Sequence, residues 1–121
     1  MTSCLIVDDS NVVRKLERRI MEEFGFSISE AEDGSKAEAF CKSTMPDLIL
    51  LDWHMPVMNG LEFLKALRAM PDGTKPKVIF CTTESEMSNI MQAMSLGADE
   101  YVMKPFDAEI IRGKLEQIGM I

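Results

Sequence analysis

Two adjacent aspartates near the start of the chain, Asp8 and Asp9, a third at Asp52, a threonine at Thr82 and a lysine at Lys104 could do chemistry together. Three carboxylates brought to one place repel one another unless a cation compensates. Oxygen-only ligands with room for water suit a hard, hydrated ion, so Mg²⁺ is the expected cofactor, with Asp9 and Asp52 as direct ligands and Asp8 acting through a bound water. Lys104 would add one fixed positive charge on the other side, and Thr82 a hydroxyl. A metal, an ammonium and a hydroxyl around Asp52 can neutralise phosphoryl oxygens while that carboxylate acts as nucleophile. Each residue alone has an ordinary explanation, since Asp-Asp-Ser caps helices, Asp or Thr closes strands and a lysine before proline is commonly solvated. The expectation rests on their coming together.

Positioning them requires a rigid frame, and the hydrophobic pattern supplies one. Leu48-Ile49-Leu50-Leu51 offers no polar side to water, so it reads as a central strand covered on both faces, closed by Asp52. Ser3 to Val7 is a second buried strand, followed by Asp8-Asp9-Ser10 and a helix running to about Phe24. In that helix Val13, Leu16, Ile20 and Phe24 form the apolar stripe expected to face the core, and Gly25 ends it. Phe26 to Ala31 alternates and reads as a less buried strand at an edge. A modest helix follows from Ser35 to Ser43. After the central strand comes a Pro- and Gly-containing loop, then a third helix marked by Leu61, Leu64 and Leu67. Lys77 to Thr82 is a fourth strand, Ser85 to Leu96 a fourth helix, Glu100 to Met103 a fifth strand, and a last helix carries Ile110, Ile111, Leu115 and Ile118. Strand and helix alternate five times, which predicts an α/β fold: a doubly wound parallel sheet with helices on both faces. In such a sheet Asp8, Asp9, Asp52, Thr82 and Lys104 all fall at the carboxyl edge, near the point where strand order reverses.

Composition narrows the function further. The chain has 121 residues, 46% hydrophobic and 27% charged, which suits one globular domain over 1–121 with no output domain. Thirteen basic residues against 20 acidic give a net charge of -7, which disfavours a general nucleic-acid role. No apolar run approaches the roughly 20 residues a bilayer span needs, and the start lacks the basic segment of a signal peptide, so a cytoplasmic protein with no membrane partner is expected. Cys4, Cys41 and Cys81 are odd in number and form no Cys-x-x-Cys pair, arguing against a disulfide framework or structural zinc.

The residues Val7-Asp8-Asp9-Ser10, Leu51-Asp52-Trp53-His54-Met55-Pro56, Gly60, Thr82, Gly97-Ala98, Tyr101 and Lys104-Pro105-Phe106, taken in this order, closely resemble a receiver domain of two-component signalling, of the stand-alone chemotaxis type. The resemblance covers essentially the whole chain. It implies the flavodoxin-like (βα)5 arrangement with strand order 2-1-3-4-5. It also implies that Asp52 accepts a phosphoryl group from a phosphohistidine on a histidine kinase or histidine phosphotransfer protein, that the His54 backbone carbonyl joins the metal ligands, and that Lys104-Pro105 is a cis peptide. By the same resemblance Thr82 shifts to bond the phosphoryl group and Tyr101 turns inward, changing a face that docks a downstream target. No enzyme activity beyond the protein's own phosphorylation and dephosphorylation is implied.

Some positions depart from the pattern. His54, two residues past Asp52, and Glu84 border the route of an attacking water and are expected to tune dephosphorylation, while Thr83 narrows access to the phosphoryl site. In the fourth helix Met91 and Ala98 are expected inward, leaving Met87, Ile90 and Met94 as an outward apolar strip beside Tyr101 for a partner. The first expectation is a monomeric phosphorylation switch, in chemotaxis or motility control. The alternatives are a phosphate-shuttling intermediate and a small aspartyl-phosphate phosphohydrolase, although the latter lacks a second acid beside the nucleophile.

Overall fold

The computed structural model describes residues 2–83 and 89–121. Five strands, β1 (Ser3–Val7), β2 (Ser27–Ala31), β3 (Leu48–Asp52), β4 (Lys77–Thr82) and β5 (Glu100–Met103), alternate with helices α1 (Asn11–Glu23), α2 (Gly34–Ser43), α3 (Gly60–Arg68), α4 (Ile90–Ser95) and α5 (Ala108–Gln117). The sheet is parallel throughout, in the order β2-β1-β3-β4-β5. All five residues of β3 are buried, as an unbroken apolar run requires, and β2 lies at an edge with only Ala31 fully covered. Among the described residues no helix is long and apolar enough to cross a membrane.

The two-residue period of a strand divides the core. Leu5, Val7, Ile49, Leu51, Val78 and Phe80 pack on the side of α2 and α3, with Ala37, Phe63, Leu64 and Leu67. Cys4, Ile6, Leu48, Leu50, Ile79 and Cys81 point the other way, toward α1 and α5, with Met21, Ile111 and Leu115. All three cysteines are free and buried, and burial pushes the Cys41 thiol up to about 11, so they behave as small apolar side chains.

Four of the five described helices, all but α4, have a side-chain cap at their start. Ser10 accepts from the Val13 amide and Asp33 from that of Lys36, while Asp107 does the same for Ile110. Asn59 and Glu62 satisfy each other's amides in a capping box at α3. The other end of α3 is fastened by Arg68, whose guanidinium donates to the carbonyls of Gly73, Pro76 and Gly97 and pairs with Asp99 at 3.1 Å.

The fourth helix is turned from the expected phase at Ile90 and Met91, while Met94, 38% exposed, faces outward as expected. Ile90 is 7% exposed and Ala93 is buried, whereas Met91 is 83% exposed. Ala98 is inward as expected, but Ile90 belongs to the core and not to a partner strip. The small Ala93 lets the backbone approach the sheet, and it carries Ile90, three residues earlier, onto the same side. The apolar count alone could not separate two faces that both carry hydrophobes. Met87 and Glu84 lie outside the described residues.

Candidate functional site

Register brings the acidic residues together. Val7 pairs with Leu51, so Asp8 and Asp52 leave the sheet side by side, and Asp52 is itself opposite Cys81 on β4. Asp8 and Asp52 continue the alternation of Cys4, Ile6, Leu48 and Leu50, and so lean to the α1 side of the sheet. One carboxylate oxygen from each of Asp8, Asp9 and Asp52 lies within 4.8 Å of the others. Asp8 and Asp52 are buried and Asp9 is exposed, so the group is open to solution on one side. The helix is capped by Ser10, with Asp8 accepting from the Ser10 amide at 2.9 Å; the paired aspartates themselves are not consumed as N-caps.

The Lys104 ammonium sits 2.5 Å from Asp52 and 3.2 Å from Asp8. Burial works against its charge, but the hydrogen bond to Asp52 and the fields of Asp52 and Asp8 prevail and hold its pKa above that of an ordinary lysine. Burial in turn raises the Asp52 carboxyl, with Asp8 adding to the rise and Lys104 opposing it. Lys104 reaches this place from the end of β5, just before the cis Lys104-Pro105 bond, and its amide donates to the Thr82 carbonyl at 2.7 Å. An all-oxygen, partly open set of three carboxylates fits a divalent hard cation in both charge and ligand chemistry.

Thr82 is fully buried at the end of β4, in register with Met103, and its hydroxyl donates to the Thr83 carbonyl at 3.2 Å. Its alternation is that of Val78 and Phe80, so it leans to the face opposite the acidic cluster. Tyr101, half-buried, packs against that same apolar cluster, and the Lys114 ammonium lies 4.7 Å from the centre of its ring. The predicted threonine and tyrosine are thus brought to one side of β4 and β5. Trp53 is buried next to Asp52, its ring 5.1 Å from that of Phe80 and inclined at 59°. The His54 side chain is exposed on the following loop. That loop closes on Gly60, whose amide donates to the Trp53 carbonyl; a Cβ at Gly60 would lie 2.2 Å from the Asp52 carbonyl oxygen. Only glycine permits this approach.

The inward face of α1 differs from the expected stripe. Arg14, Glu17 and Met21 are buried, Val13 and Ile20 sit at the flank, and Leu16 is 56% exposed. Arg14 takes its place because it has bonds to make there: it donates to the Asp8 carbonyl at 2.5 Å and to Glu30 at 3.0 Å, and also bonds Asn11. Glu17, only 4% exposed, has one carboxylate oxygen with no partner among the described residues. Burial, reinforced by the field of Asp8, pushes its pKa up to about 8, against the pull of Lys104. Sequence reasoning missed both residues. Their spacing with Met21 is helical, but a search weighted by hydrophobicity selects the neighbouring stripe.

The chain matches the family model described as response regulator receiver domain over residues 4–116. It is 35% identical over 115 residues to the chemotaxis protein CheY of Pseudomonas aeruginosa, covering 94% of this chain and 93% of that protein. Chemotaxis protein CheY-3 of Vibrio cholerae is 34% identical over 115 residues, covering 94% and 88% respectively. The solved structure of the chemotaxis response regulator CheY4 of Vibrio cholerae superposes with a TM-score of 0.90 at 30% identity, covering 98% of each chain.

Proposed function

The chain belongs to the response regulator receiver domain family, and from that premise we propose that it is a phosphorylation-dependent switch whose phosphoacceptor is Asp52. A phosphohistidine on a kinase or phosphotransfer protein donates the group: the Asp52 oxygen forms a bond to phosphorus as the nitrogen–phosphorus bond breaks, and the histidine leaves with a proton. The observation that carries this reading is the meeting of the Asp8, Asp9 and Asp52 oxygens within 4.8 Å, with the Lys104 ammonium 2.5 Å from Asp52.

In this reading Asp9, Asp52 and the His54 carbonyl hold Mg²⁺, with Asp8 acting through water. The ion supplies charge neutralisation for the phosphoryl oxygens. Lys104 holds one developing negative charge in place, and Thr82 donates its hydroxyl to a phosphoryl oxygen instead of to the Thr83 carbonyl. A phosphoryl group brings nearly two negative charges and three acceptors, enough to bias a two-state loop and the Tyr101 ring. Met94 and Tyr101, joined by the exposed Met91, form the face offered to a target protein. His54 and Glu84 tune the lifetime of the phosphoryl group. The single domain over 1–121 works as a cytoplasmic monomer, by docking to proteins and not to nucleic acid, in keeping with its net charge of -7. The chemotaxis proteins it resembles support a role in chemotaxis or motility control.

Incubation with acetyl phosphate and Mg²⁺, followed by intact mass, tests the reading. One phosphate adduct per chain, absent from Asp52→Ala, is expected. Continuous turnover of small phosphate esters would instead identify a phosphohydrolase, and transfer onward to a histidine protein a phosphate shuttle.

A further inference from the structure

Tyr101 is the only tyrosine of the chain, and it stands on β5, the last strand of the sheet. Its ring packs with the apolar cluster on the α2 and α3 side, whereas α5 is anchored on the other side by the fully buried Ile111 and Leu115. Lys114 of α5 nevertheless places its ammonium 4.7 Å from the centre of that ring. A contact between groups that belong to the two faces is made round the edge of the sheet, where β5 has no further strand beside it. The ammonium is itself held there. Glu100, the residue before Tyr101, accepts from Lys114 Nζ at 3.3 Å and, through the same Oε1, from the Tyr101 amide at 2.9 Å. Water does not fully separate the pair, since the two side chains are only 23% and 20% exposed. Lys114 also lies in the last turn of α5, the end at which a helix favours positive charge. Carboxylate, ammonium and ring thus close into one cluster around a single tyrosine, and the ring is drawn to the cation by its quadrupole.

We propose that Lys114, anchored by Glu100, is a positioning residue for Tyr101: it holds the ring at the sheet edge while Asp52 is unphosphorylated, so that the inward turn breaks the contact between ammonium and ring. The inference rests on the reading that phosphorylation of Asp52 turns Tyr101 inward, and adds what opposes that turn. Contacts of a cation with an aromatic face at partly exposed sites correspond to about a two- to fivefold bias in a two-state equilibrium. A ligand that favours the inward state works against that bias. While the inward state is the minor one, removing the contact raises the affinity of such a ligand by the same factor.

The test is titration of the full chain with beryllofluoride, a phosphoryl mimic, in saturating Mg²⁺, with binding read from Trp53 fluorescence and the turn from the ring carbon resonances of Tyr101; one tryptophan and one tyrosine leave both signals unambiguous. Lys114→Met, which keeps an apolar stem of similar length, should bind beryllofluoride about two- to fivefold more tightly than the parent chain. Lys114→Arg, which restores a cation able to meet both ring and carboxylate, should return to the parent value. The sign is diagnostic: losing a positive charge would by itself weaken the binding of an anion, and a variant that is merely less stable gains no affinity. Glu100→Gln should give part of the effect in the parent chain and none on top of Lys114→Met, since the carboxylate acts through the ammonium. Equal or weaker affinity in Lys114→Met overturns the proposal and leaves the functional reading standing, as does a tightening that Lys114→Arg shares. A Tyr101 resonance unmoved by bound beryllofluoride, or binding that survives Asp52→Ala, strikes the functional reading instead, and the proposal falls with it.

Discussion

Glu17 carries the sharpest consequence at the scale of single residues, because its folded-state pKa of about 8 lies far above its ordinary value of 4.5. The folded protein therefore holds a proton that the unfolded chain has already released between those values. The contribution of the protonated group is fully present below pH 4.5 and is lost as pH rises toward 8. Glu17→Gln should consequently be more stable than the parent by about 2–4 kcal/mol above pH 8, the gap closing below about pH 5, as urea denaturation at the two pH values would show. A gap independent of pH would mean that Glu17 does not titrate in this window. Trp53 supplies a second expectation, as the only tryptophan and the neighbour of Asp52. Addition of millimolar Mg²⁺ should change its fluorescence, and Asp9→Ala should remove the response; an unchanged spectrum in the parent chain would count against metal binding at this cluster.

At the level of elements, the loop from β3 to α3 is held by a close approach that one methyl group would forbid. Gly60→Ala places a carbon 2.2 Å from the Asp52 carbonyl oxygen and 2.9 Å from the Phe80 ring, so the strand end that presents Asp52 must shift. A loss of about 1–3 kcal/mol in urea unfolding is expected, accompanied by weaker Mg²⁺ response because the nucleophile's own backbone moves. Arg68 plays the matching part at the other end of α3, where three carbonyls and Asp99 share one guanidinium. Arg68→Ala leaves those acceptors without it and should cost about 2–4 kcal/mol by the same measurement. The alternation of strands and helices was legible from hydrophobic period, because β3 is apolar on both sides and β2 on only one. Helix phase was less so. In α1 and α4 two adjoining stripes are each compatible with a helix, and the choice fell to hydrogen bonds made by Arg14 and to the size of Ala93, neither of which is measured by apolarity.

For the molecule as a whole, a cation held by Asp8, Asp9 and Asp52 binds the folded chain and not the unfolded one, in which those residues are scattered. The unfolding temperature should rise with Mg²⁺ concentration, by an amount equivalent to about 1–3 kcal/mol at tens of dissociation constants, and Asp9→Ala should flatten the dependence. A calorimetric midpoint that ignores Mg²⁺ in the parent chain would contradict that linkage. Tyr101 packs against the apolar cluster around Phe80, on the opposite side of the sheet from the carboxylates, so an event at Asp52 must cross β4 to reach it.

By itself, the order of apolar and polar residues determined the alternating architecture, the carboxyl-edge position of Asp8, Asp9, Asp52, Thr82 and Lys104, and the chemistry those types allow, because strand period and chain direction are local properties. Only the tertiary structure decided that Lys104 lies against Asp52, that Ile90 turns inward, and that Arg14 and Glu17 occupy the buried face of α1. Those outcomes depend on which groups from distant segments lie within bonding distance, and the free energy of burying a charge is set by neighbours that the linear sequence does not place.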